Sequence, residues 1–215
     1  MTALSTTAPD LAPAAVEALV RRLYGIDCSA RPLAGERDQN CLVQASDGAR
    51  YVFKISNPSE PAEVVDFQIA ALDHIARVSP EQPVPRVVRT LEGHTHGTIA
   101  LAEGVQTRVR MLTYLDGIQI RETERTAAQR RAMGSGLAGL NRALHGFAHP
   151  GAAHDRLWNV ATAHRLTEQL DSLVDGQRRA QGRACVPHPV LRPLRRHAVG
   201  EAEHRRRRAR LGGHV

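Results

Sequence analysis

The stretch Tyr51-Val52-Phe53-Lys54-Ile55-Ser56-Asn57 decides how the rest of the chain is read. Tyr51, Phe53 and Ile55 fall on one face, and Val52, Lys54 and Ser56 on the other. Aromatic and β-branched side chains alternating at period two predict a strand. Asp47-Gly48 just upstream suits a tight hairpin turn, which makes Cys41-Leu42-Val43-Gln44-Ala45 the partner strand. Lys54 is the only lysine among 215 residues, in a chain otherwise supplied with arginine. A compact ammonium in mid-strand suits a phosphate as a point charge. It equally suits an edge strand that uses a charge to block aggregation, so the neighbouring segments decide.

A chain of this length holds one substantial core or two small lobes. Aromatic residues make up only 3%, so the core must rest on Leu, Val, Ile and Ala. No apolar run approaches the roughly 18 residues needed to span a bilayer, and the polar start from Met1 to Pro9 lacks the layout of a signal peptide. Cys28, Cys41 and Cys185 are widely spaced and form neither a metal motif nor a disulfide framework. These features predict a cytoplasmic protein with no membrane partner. Of the net charge of +7, the segment from Arg178 onward carries about +9, leaving residues 1–177 at about −2. The folded part therefore gives no electrostatic reason to bind nucleic acid.

Along the chain, residues 1–9 are expected to be disordered. Val16, Leu19, Val20 and Leu23 recur at helical spacing between Pro13 and Tyr24, with Gly25 as the stop. A short strand is predicted over Ala30–Leu33. The polar link Ala34-Gly35-Glu36-Arg37-Asp38-Gln39-Asn40 then leads into the hairpin. With a single glycine, this link reads either as a solvated turn or as a loop offering N–H groups to a ligand. Pro61–Ala76 reads as a helix with Val65, Ile69, Leu72 and Ala76 as its buried stripe, leaving Glu63, Asp66 and Asp73 off it. Further strands are expected over Arg86–Thr90, Thr98–Leu101 and Thr107–Leu115. His94 and His96, in the turn between the first two, read as solvated loop residues rather than a metal site. From Ala128 the chain turns helical, first to Phe147 and then over Asp155–Leu170.

A lone strand lysine, an acidic helix, more strands and an apolar strand ending at Gly117: this order resembles the small lobe of protein kinase-like folds. More specifically it resembles the aminoglycoside phosphotransferase and choline kinase family, its hydroxylysine kinase branch above all. The residues that carry the likeness are Arg31-Pro32-Leu33, Asp38-Gln39-Asn40, Tyr51 to Asn57, Val109 to Gly117, Phe147-Ala148-His149-Pro150 and Trp158-Asn159. The fold it implies is α+β: a nucleotide-binding lobe over residues 10–117, with an antiparallel sheet and a helix. A partial helical lobe would follow over 118–177, and an Arg/Pro/His-rich tail over 178–215. By that resemblance Asp38, Gln39 and Asn40 cover the ATP phosphates, and Lys54 contacts the α- and β-phosphates. Asp66 braces the lysine, with Glu63 as the alternate. Thr113, Tyr114 and Leu115 form the hinge that hydrogen-bonds adenine. The implied activity is ATP- and Mg²⁺-dependent phosphoryl transfer to the hydroxyl of a small molecule, hydroxylysine or a similar amino alcohol.

The likeness then stops. Members of that family continue to a His-x-Asp catalytic loop with a metal-binding Asn and a later metal-binding Asp. Here the last aspartate is Asp175 and the last asparagine Asn159. The tail, with Arg205-Arg206-Arg207-Arg208, has little helical periodicity and repels itself. Two accounts fit: a reading frame lost near Gln177, or a genuine basic tail for nucleic acid or another anionic surface. On either account the chain is expected to lack the catalytic and Mg²⁺-binding residues and so to be an inactive phosphotransferase by descent, the alternatives being a non-catalytic nucleotide-binding module or a nucleic-acid binder through its basic tail. It is also expected to expose apolar helix faces.

Overall fold

The computed structural model describes residues 7–101, 104–153 and Gly176. The helix expected over 155–170, the pair Trp158-Asn159 and the basic tail lie outside the described residues, as do residues 1–6. By contacts the chain divides into two units, residues 1–154 and 155–215; the elements that follow belong to the first.

Helix α1 (Pro13–Tyr24) opens on Pro13 and stops at Gly25, whose φ of +69° is the left-handed turn that glycine adopts without strain. A six-stranded sheet follows: β1 (Cys28–Leu33), β2 (Gln39–Ala45), β3 (Arg50–Ile55), β4 (Val87–Val88), β5 (Gly97–Ala100) and β6 (Gln106–Thr113). Its order is β1-β2-β3-β6, every neighbouring pair antiparallel, with β4 and β5 both paired to β6. The expected hairpin is present, with Cys41 opposite Phe53 and Asn40 opposite Lys54. The edge-strand reading of Lys54 fails, because β3 lies between β2 and β6. The sheet's core face carries Cys41, Val43, Phe53, Ile55, Val109 and Met111, packed against Val16, Val20 and Tyr24 of α1. Tyr24 meets Phe53 edge-on at 6.3 Å.

Helix α2 (Ala62–Val78) buries Val64, Val65, Ile69 and Ile75. The expected stripe holds at Val65 and Ile69 but then passes through Ile75, while Leu72 and Ala76 are only half-buried. Helix α3 (Ala127–Ala143) begins with a capping box between Thr126 and Gln129. Its Met133 and Leu137 are 58% and 59% exposed. The chain then returns to α2, where Phe147 stacks on Phe67 at 5.9 Å and lies 5.1 Å from His74. Gly151 passes so close to α2 that a Cβ there would sit 2.3 Å from the Glu63 carbonyl oxygen. No helix among the described residues is long and apolar enough to cross a membrane.

Candidate nucleotide site

Strand pairing aligns the functional side chains. Asn40, Lys54 and Arg110 stand opposite one another on β2, β3 and β6, on the sheet face turned away from α1 because side chains alternate along a strand. Two residues along, Leu42, Val52 and Leu112 make an apolar row on the same face. One face thus carries a charged row beside an apolar one, ending at Thr113.

Lys54 donates to Asn40 Oδ1 at 2.5 Å, and its Nζ lies 3.7 Å from Asp38 Oδ2. That same carboxylate oxygen lies 3.9 Å from Arg110 Nη2, while Asp38 Oδ1 accepts the Asn57 N–H at 3.1 Å. Arg110, 3% exposed, donates from Nη1 to Ser56 Oγ at 2.9 Å and from Nη2 to Gln68 Oε1 of α2 at 2.6 Å. Two cations therefore share one carboxylate in a largely desolvated place. Burial first, and then the Arg110 charge, holds the Lys54 ammonium below its usual range against the opposing pull of Asp38. Burial likewise lowers Arg110, opposed by Asp38, Glu60 and Tyr24.

The loop between β1 and β2 is pinned from below. Gly35 has no room for a side chain, since a Cβ would lie 2.3 Å from the Asp38 carbonyl oxygen and 2.6 Å from Asn40 Nδ2. Asn57, 1% exposed, donates to the Arg37 and Thr7 carbonyls and accepts from Ser59. Arg37 also reaches Glu60 at 3.1 Å.

Not every expected residue arrives at this cluster. Asp38 and Asn40 do. Gln39 turns to the other face, where its amide grips Leu11 through both backbone groups, accepting the N–H at 2.8 Å and donating to the carbonyl at 2.7 Å. Asp66, expected to brace the lysine, here pairs with Arg108 at 2.5 Å, and the α2 side chain that reaches the cluster is Gln68. At the hinge, the Thr113 N–H donates to the Arg86 carbonyl and the Tyr114 N–H to the Arg50 carbonyl. The Arg86 N–H goes to the Thr113 hydroxyl. The Leu115 N–H, just past the strand end, has no partner among the described residues. Tyr114 lies under the Arg50 guanidinium at 4.9 Å. His94 meets Glu92 at 3.3 Å, and the described residues hold no group of three His, Cys, Asp or Glu placed to bind a metal.

Sequence reasoning missed Arg110, Ser56, Gln68 and Asn57. The signal for Arg110 was present: a charge between Val109 and Met111 in an apolar strand must be paired when buried.

A central-strand lysine with a loop at its tip, a helix beside it and a strand end with an open N–H define the small lobe of a kinase-like fold. Two solved structures share it. An amicoumacin kinase, hAmiN, in complex with AMP-PNP, Ca²⁺ and Ami superposes with a TM-score of 0.59 at 12% identity, over 80% of this chain and 52% of that one. A microcompartment-associated aminopropanol kinase gives 0.53 at 14% identity, over 74% and 55%. Residues 29–207 match the Phosphotransferase enzyme family, and the chain belongs to it. Among curated relatives, mouse (Mus musculus) hydroxylysine kinase is 27% identical over 91% of this chain and 55% of its own length. Zebrafish (Danio rerio) hydroxylysine kinase is 30% identical over 78% and 49%. The chain thus spans about half the length of the curated relatives it matches.

Proposed function

We propose that this chain binds ATP on the Lys54 face of the sheet and, as it stands, does not transfer the phosphoryl group. The observation that carries the reading is the pair Lys54 and Arg110 sharing Asp38, because a buried excess of positive charge favours an anionic ligand. Phosphate oxygens fit at Lys54 and Asn40, beside the Ala34–Asp38 loop. The adenine ring would lie along the row that holds Val52 and Leu112, with the Leu115 N–H as a hydrogen-bonding partner. Lys54 would orient the phosphates and offset their charge, contributions that phosphoryl transfer rests on.

In the intact family context the γ-phosphoryl group of ATP would pass to a hydroxyl, and the relatives point to hydroxylysine or a similar amino alcohol. Mg²⁺ finds no fitting ligand set among the described residues, so no step is routed through it. The sequence carries no aspartate after Asp175 and no asparagine after Asn159 to take the acceptor proton or hold a metal.

Purified protein given Mg-ATP and hydroxylysine tests both halves of this reading. The expected result is displacement of a fluorescent ATP analogue by ATP with no phosphohydroxylysine formed. Appreciable Mg-ATP-dependent turnover would overturn the inactive assignment, and failure to bind the analogue would overturn the site.

A further inference from the structure

We propose that Arg110 is the residue that positions this site, fastening α2 through Gln68 and the end of β3 through Ser56 while it holds Asp38, so that Lys54 stays available to an anionic ligand. This role rests on the nucleotide reading of the Lys54 face.

A strand lysine committed to a helix carboxylate would spend its charge in an ion pair. Here the candidate carboxylate of α2, Asp66, is taken by Arg108, and α2 offers the cluster a neutral amide instead. That amide goes to Arg110. The planar guanidinium reaches two acceptors on two elements, Ser56 after β3 and Gln68 on α2, from a third element, β6. An ammonium has no such fixed fork and would not span them in the same way. Asp38, held from its other oxygen by the Asn57 N–H, lies at comparable distances from both cations, 3.7 and 3.9 Å. Arg110 therefore divides the carboxylate with Lys54 rather than leaving it to close on the amine. When phosphate oxygens arrive at Lys54, Asp38 retains a cationic partner.

The charged groups around the pair are few. Asp38 comes from the β1–β2 loop, and Glu60 and Tyr24 act on Arg110. Removing the Arg110 charge removes a repulsion from Lys54 and frees Asp38 to approach it, and both changes move the Lys54 titration the same way, upward.

Because Lys54 is the only lysine, reductive ¹³C-methylation of the full chain labels one side-chain amine and the N-terminal amine, and NMR follows the titration of each. In Arg110→Gln the Lys54 resonance is expected to titrate at higher pH than in wild type, and Mg-ATP binding to weaken by roughly tenfold to a hundredfold. Arg110→Lys keeps a positive charge without the fork, so ATP binding should stay weakened. An unmoved Lys54 titration in Arg110→Gln, or wild-type ATP affinity in Arg110→Lys, overturns the proposal. Should Arg110→Gln fail to fold, Gln68→Ala removes only the α2 acceptor. An ATP affinity within about twofold of wild type would then overturn it. A wild type that binds no ATP while Lys54 still responds to Arg110→Gln would sink the nucleotide reading and leave the positioning role standing.

Discussion

Lys54 and Arg110 face each other across the β3–β6 pairing and share one carboxylate oxygen of Asp38, at 3.7 and 3.9 Å. Neither cation is fully neutralised by that oxygen, and both are buried enough for burial to dominate their titration. An arrangement that keeps charge in a poorly solvated place lowers stability, and a fold retains such arrangements where a ligand makes use of them.

Lys54→Met should show that trade directly. The folded state holds the Lys54 ammonium below its usual 10.5, so the unfolded chain binds that proton more tightly. The charge thus lowers stability at neutral pH, and the cost is relieved as pH rises through the folded value toward 10.5. The variant should unfold in urea at a midpoint no lower than wild type while losing ATP affinity. A clear drop in the midpoint would show instead that Lys54 holds the fold together.

Asp66→Asn separates two accounts of the helix carboxylate. Paired with Arg108 and 41% exposed on its side chain, Asp66 contributes at most about 1 kcal/mol. The Lys54 titration and ATP affinity should be unchanged in the variant. A shift in either would restore Asp66 as the brace of the lysine.

Asn57→Ala should cost about 2–3 kcal/mol of stability, measured by urea unfolding. The buried amide ties the Arg37 and Thr7 carbonyls and Ser59 together, and alanine leaves the carbonyls without that donor. A cost under about 0.5 kcal/mol would mean the loop is held by something else.

Tyr24→Phe should flatten the alkaline limb of the stability curve. Burial raises the Tyr24 phenol from 10 to about 12, so its contribution is intact below pH 10 and lost as pH rises through 12. Two units correspond to roughly 3 kcal/mol over that window. Equal alkaline loss in both proteins would assign it to another group.

Most of the sheet was legible in the sequence, because its cues are local. Alternation through Tyr51–Ile55 and Asp47-Gly48 specify the hairpin, and Pro13 and Gly25 bracket α1 where the structure has it. The limits of the site reading come from pairing that no local pattern encodes. Asp66 and Gln68 differ by two positions on one helix, and only the seating of α2 on the sheet decides that Asp66 meets Arg108 and Gln68 meets Arg110. Gln39 and Asn40 are adjacent in sequence, yet strand alternation sends one to Leu11 and the other to Lys54. Arg110 was visible as a charge in an apolar strand, but its partners Ser56, Gln68 and Asp38 come from three other places in the fold.

Calorimetric titration of Mg-ATP into wild type and Lys54→Ala decides whether nucleotide binds at Lys54. Saturable binding to wild type is expected to weaken at least roughly tenfold in the variant. Equal binding by both, or none by a folded wild type, would contradict it.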